Sequence, residues 1–135
     1  MVIYFENSIE EILKKNLHKG ENEPIIGVGV DVITKPFNSD KPFFYKANIK
    51  HLYKEDLEAF VSEEDFINGK KLERYIVAVR ANVNMVIDEF KEQANEGKLV
   101  TVLESDWYTK KLINIDTIQE VQGFVFDSQE IFKEK

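Results

Sequence analysis

The segment "VRANVN" holds three residues whose types suit ligand recognition: Arg80, Asn82 and Asn84. A guanidinium pairs with carboxylate or phosphate, and side-chain amides both donate and accept hydrogen bonds. Such a set becomes a site where a strand ends and a helix N-terminus opens, a common place for small ligands. If the segment is one continuous helix, Arg80 and Asn84 merely line its outer face at i, i+4.

The stretch "IIGVGVDVITKPF" (25–37) also looks chemical, with two glycines and an aspartate among branched apolar residues. A phosphate loop needs its glycines between a strand and a helix start, so that backbone N–H groups point at the anion. Gly27 and Gly29 instead fall inside a strand pattern, where a missing side chain lets a neighbour pack close. Asp31 follows from parity. If Val28, Val30 and Val32 face the core opposite Phe43, Tyr45 and Ala47, Asp31 shares the other face with Lys46, Asn48 and Lys50. It lies near Lys46 if paired residue numbers sum to 77.

His18 and His51 have no partners at metal-ligand spacing, and the serines at 8, 39, 62, 105 and 128 fall at caps and turns. The chain has no cysteine, which removes thiol nucleophiles and thiolate metal sites together. No cofactor is expected, and no catalytic set is found.

Two further groups suit recognition. Glu55, Asp56, Glu58, Glu63, Glu64 and Asp65 crowd one short stretch with Lys54 as the nearby cation. A solvated helix face explains them, as does steering toward a basic surface. Trp107 and Tyr108 fall in the turn-rich segment "ESDWYTKK", where they either anchor a partner or pack over a sheet end.

These residues need elements to hold them. Residues 2–5 read as a short strand, and Ser8 with Glu11 has the spacing of a capping box for a helix striped by Ile9, Ile12, Leu13 and Leu17. Strands follow at 25–34 and 43–50, joined by the two-proline loop "KPFNSDKP". A helix near 54–61 precedes a short turn capped by Ser62 and closed by Gly69. Residues 72–96 fit two descriptions. Leu72, Ile76, Val79, Val83, Val86 and Phe90 make a helical seam. Alternation at Tyr75, Val77, Val79 and Ala81 with many β-branched residues favours a strand at 74–81 and a helix at 84–96, and this division is preferred. "KLVTVLE", "KKLINI" and "QEVQGFVF" supply three more strands.

A net charge of −7 disfavours a nucleic-acid binder, whose affinity rests on clustered cations, and points to a basic protein partner. No apolar stretch approaches the roughly 20 residues of a membrane helix. The first residues lack a basic start and a long apolar run, so a cytoplasmic protein without membrane association is expected. The architecture expected is α+β, with residues 1–135 as one domain. It has a mostly antiparallel sheet of five to six strands and two to four helices packed largely on one face. A symmetric homodimer through an edge strand is compatible with it. The function expected is non-enzymatic: an acidic inhibitor or immunity-type partner of a basic protein. The alternatives are a small-ligand protein or enzyme with its site at residues 80–84, and a phage or cellular assembly component.

Overall fold

The computed structural model describes residues 3–4, 9–20, 22–104 and 107–128. Among these residues, six strands and four α-helices make an α+β fold around one sheet: β1 (Ile3–Tyr4), α1 (Ile9–Asn16), β2 (Ile26–Thr34), β3 (Phe43–Leu52), α2 (Lys54–Glu58), α3 (Glu63–Ile67), α4 (Lys71–Asn95), β4 (Leu99–Glu104), β5 (Trp107–Leu112) and β6 (Ile118–Phe126). The strand order is β1-β6-β2-β3-β4-β5. Strand β1 runs antiparallel to β6, β3 to β4, and β4 to β5. No helix of the described residues is long and apolar enough to cross a membrane.

The chain divides into two compact units. One comprises Met1–Val28, His51–Val83 and Phe124–Lys135, the other Gly29–Lys50 and Asn84–Gly123. In the first, Ile9, Ile12 and Leu13 of α1, Leu57 of α2, and Tyr75, Ala78 and Val79 of α4 are buried with Ile26, Val28 and Phe126. In the second, Val30, Val32, Ala47, Val86, Phe90, Val100 and Val102 form the core.

The pairing of β2 with β3 meets the parity argument at Asp31, although of Phe43, Tyr45 and Ala47, expected on the core face, only Ala47 is buried and Phe43 is 48% exposed. Ile25 N–H donates to Leu52 O at 2.8 Å, and Lys46 Nζ lies 2.6 Å from Asp31 Oδ1, so both pairs sum to 77. Asp31 is thus a cross-strand ion-pair partner. Gly27 meets its own test: a Cβ there would run into the Phe126 ring. Asn48 has φ 53, the left-handed region that asparagine tolerates better than most residues. Its amide donates to Val86 O at 3.3 Å.

The largest difference from expectation is α4. Residues 74–81 are not a strand, because one helix runs unbroken over Lys71–Asn95. Its buried positions, Tyr75, Ala78, Val79, Asn82, Val83, Val86, Phe90 and Ala94, recur at helical spacing for the whole length. Twenty-five residues of continuous seam outweigh the local β preference of "YIVAV", since packing overrides propensities worth a few tenths of a kcal/mol per residue. Val77, inward in the strand reading, is 44% exposed. A second difference lies at Trp107 and Tyr108, which open strand β5 and are not part of a turn. The capping box expected at Ser8, and Ser105, fall outside the described residues.

Candidate functional site

The acidic stretch forms two short helices, and the structure divides its six acids by task. Tyr53 N–H donates to Asp56 Oδ2 at 2.8 Å, closing the N-terminus of α2. Ser62 caps α3 by accepting from Asp65 N–H at 3.1 Å, and its own N–H and hydroxyl donate back to Asp65 Oδ2 at 3.2 and 2.8 Å. Such reciprocal bonds satisfy donors that a helix start leaves open. Arg74 Nε lies 3.2 Å from the same carboxylate oxygen. The Ser62 hydrogen bonds, with a smaller part from Arg74, hold the Asp65 carboxyl below its usual range. Asp56 and Asp65 are therefore engaged in folding.

Glu55, Glu58, Glu63 and Glu64 differ. All four are exposed and make no ion pair among the described residues. The same stretch of chain carries Phe60, Phe66 and Ile67 at 41%, 63% and 74% exposure, and α3 buries none of its own residues. A five-residue helix with nothing inward is held by its cap, by Arg74, and by the turn at Gly69, where φ is +71 and Lys70 N–H returns to Asp65 O at 2.9 Å.

Where these helices meet the start of α4, a cleft of about 220 Å³ is lined by Glu58, Val61, Ser62, Glu63, Phe66 and Lys71. Lys71 Nζ sits 5.5 Å from the ring centres of both Phe66 and Tyr75, within cation–π range. Tyr75 is wholly buried, and its hydroxyl has no hydrogen-bond partner among the described residues although the Glu58 carboxylate lies near. Burial first, the Glu58 charge second and a hydrogen-bonding interaction with that carboxylate third push the phenol up to about 12. A buried hydroxyl without a partner costs about 1–3 kcal/mol.

A larger depression, about 490 Å³, lies in the other unit between Lys91, Glu92, Asn95, Ile115, Ile118 and Val121. Its polar residues are exposed helix positions, and it has no buried unpartnered group among its lining. Size alone does not make it the better site. No group of three or more His, Asp or Glu among the described residues could hold a metal ion.

The remaining sequence candidates are dispersed. Arg80 and Asn84 are exposed on continuous α4, whereas Asn82 is buried and donates to Ala78 O one turn back at 2.8 Å. The strand-to-helix junction that would have gathered them does not exist. Trp107, 74% exposed, and Tyr108, 41% exposed, lie on β5 at the end of the strand order. Partial burial raises the Tyr108 phenol.

A polar cluster was missed in the sequence. Asn16 Nδ2 donates to Ile25 O at 3.0 Å and to Asp127 Oδ1 at 3.1 Å, and Lys15 Nζ lies 2.9 Å from Asp127 Oδ2. Next to it, His51 Nδ1 and Ser128 Oγ are 2.9 Å apart, and His51 packs edge-on against Phe126. Ser128 is completely buried, so the His–Ser pair resembles a nucleophilic dyad in composition but presents no hydroxyl to a substrate. The signal available was Asn16 itself, a polar residue on the apolar stripe of α1.

Comparison with known protein families, with curated proteins and with solved structures found no match.

Proposed function

We propose that the protein is a non-enzymatic binding protein that engages a basic protein partner through the α2–α3 surface, in the manner of an intracellular inhibitor or immunity-type protein. One observation carries the reading: four exposed glutamates, Glu55, Glu58, Glu63 and Glu64, fall in one short stretch with exposed Phe60, Phe66 and Ile67, and Glu58, Glu63 and Phe66 line one cleft. Charge of one sign speeds encounter with a cationic partner, and aromatic anchors supply the short-range energy that charge alone lacks. Exposed acids without apolar neighbours are common on any soluble surface. The combination is what favours recognition.

Affinity capture from the source cell tests this. The wild-type chain is expected to retain a cationic protein whose binding weakens steeply with salt, and Glu55→Lys with Glu64→Lys is expected to lose it. Retention of the same partner by the charge-reversed chain overturns the reading.

A second reading, assembly through a sheet edge, is favoured by β5. It ends the strand order, and Trp107, Leu112 and its neighbour Leu99 are 74%, 60% and 54% exposed. Unpaired edges of this kind add strands from other chains unless blocked, and Lys110 and Lys111 are the charges present to block it. Sedimentation velocity distinguishes the readings. A self-associating species that Thr109→Pro reduces to monomer supports assembly, and a monomer at high concentration removes it.

A further inference from the structure

Strand β5 ends the strand order, so one of its sides has no neighbouring strand among the described residues. Its pairing with β4 fixes which way its side chains face. Thr109 and Lys111 lie opposite Val102 and Val100, both wholly buried, and Trp107 shares their face by alternation. Tyr108, Lys110 and Leu112 take the other face, opposite Leu103, Thr101 and Leu99. Trp107, Tyr108 and Leu112 are all exposed, so the edge carries large apolar groups next to two lysines.

We infer that this edge receives the β5 edge of a second copy of the chain, antiparallel, with Thr109 opposite Thr109; the inference names the partner for the assembly reading above and rests on it. An edge paired antiparallel with its own copy has a two-fold axis perpendicular to the sheet, so each residue meets only residues of its own face. The registers that overlap are therefore centred on a single residue of β5. Centring on Lys110 sets like charges directly opposite each other, which destabilises the pair. Centring on Tyr108 pairs only Trp107–Thr109 and leaves both lysines beyond the other copy's strand. Centring on Thr109 pairs Trp107–Lys111 of both copies, with each Trp107 opposite Lys111 and each Tyr108 opposite Lys110. Every lysine then meets a ring, its ammonium against the π face and its stem against apolar surface. Lys111 makes a contact of this kind within its own chain, 5.0 Å from the centre of the Tyr45 ring. The charges that turn away an unrelated strand are matched by the aromatics of the second copy, which is what selects self over other partners.

The chain has no cysteine, so one introduced thiol reports proximity cleanly. In the full-length chain under mild oxidation, Thr109→Cys is expected to give a disulfide-linked dimer, because directly opposite residues have Cα atoms about 4.5–5.5 Å apart, inside the range a disulfide spans. Lys110→Cys is expected to lose that link, since its two copies stand out of step by two residues and beyond the ~7 Å limit. Sedimentation velocity supplies the second readout. Tyr108→Lys, at an exposed position, sets a lysine opposite Lys110 and is expected to lose the dimer; Tyr108→Lys with Lys110→Glu sets unlike charges opposite and is expected to restore it. Circular dichroism checks that the variants fold, and the cysteine pair decides the register if the charge variants do not. Linking through Lys110→Cys and not Thr109→Cys, self-association indifferent to Tyr108→Lys, or no rescue by the double variant overturns the inference, while a self-associating wild type leaves the assembly reading standing. A wild-type chain that stays monomeric at high concentration overturns both.

Discussion

The two ends of strand β2 are built to different rules. From Ile26 to Val30 every residue is buried, so both faces of the strand are covered; from Asp31 burial alternates, and one face is open to water. Strand β6 repeats the contrast, with Gly123–Phe126 buried and Ile118–Gln122 mixed or exposed. Where both faces are covered, each polar group requires a partner within the protein, which is the role of Asn16 toward Ile25 O and Asp127. Where one face is wet, the Asp31–Lys46 pair sits at 40% and 30% side-chain exposure with water to share the work. Polar residues of the same type therefore carry different stakes at the two ends.

The covered end gives the largest expected effect. A Cβ at Gly27 overlaps the Phe126 ring, whose ring carbons have no flexible tail to yield. Gly27→Ala is expected to destabilise by about 3 kcal/mol, at the upper end of ordinary overpacking costs. Urea unfolding measures it, and Phe126→Leu in the same chain should recover part of the loss. A cost below about 0.5 kcal/mol, the range of a neutral surface change, would mean that the end is not closely packed.

Asn16→Leu comes next. It strips a donor from the Ile25 carbonyl and from the Asp127 carboxylate, whose side chain is 4% exposed. A loss of about 2 kcal/mol is expected, because removing a donor from buried acceptors costs about 1–3 kcal/mol, even though Asp127 keeps its Lys15 pair. Thermal unfolding of the variant checks it, and an unchanged Tm would show that water reaches Asp127 freely.

The sequence revealed the strands more readily than the cluster that seals one end of them. Period-two alternation in "FFYKANIK" and parity at Asp31 depend on neighbours in one strand pair, so the Asp31–Lys46 contact could be derived. Residues 74–81 misled because their β-branched side chains are a local signal, whereas the seam that makes α4 a helix is a property of all 25 positions. Asn16 and Asp127 meet across 111 residues, and no local pattern connects them. For the acidic stretch, composition located the surface, yet only the three-dimensional arrangement separated Asp56 and Asp65, which cap helices, from the glutamates that remain exposed. Tyr75 read as an ordinary core residue. Its unpartnered hydroxyl is invisible without coordinates.

Tyr75 gives a prediction of smaller size and opposite sign. Tyr75→Phe removes a buried hydroxyl that has no hydrogen bond, so it is expected to be neutral or stabilising by up to about 1 kcal/mol. The pH dependence follows from the raised phenol. Below about pH 10 the group is neutral in both states; between about 10 and 12 the unfolded chain gives up this proton while the folded chain keeps it. Stability is thus full below about 10 and falls as pH rises toward 12, and this part of the fall should vanish in Tyr75→Phe. Urea midpoints for both chains across that range measure it. A midpoint difference that does not change with pH would place the hydroxyl in contact with water.

The smallest effect belongs to the open end, and it decides whether the contrast is real. Asp31 and Lys46 are close at 2.6 Å, but both side chains reach solvent, which weakens their attraction and supplies alternative hydrogen bonds once the pair is broken. Asp31→Asn keeps the shape of the side chain and removes its charge. It is expected to cost at most about 1 kcal/mol at low salt, and less at high salt, where ions screen exposed pairs. Asn16→Leu should show no comparable salt dependence, because neither a buried carbonyl nor a covered carboxylate is reached by the ionic atmosphere. If Asp31→Asn instead costs as much as Asn16→Leu and ignores salt, Asp31 is shielded from water by something seated on that face. The alternating burial of β2 beyond residue 31 would then mark an occupied surface.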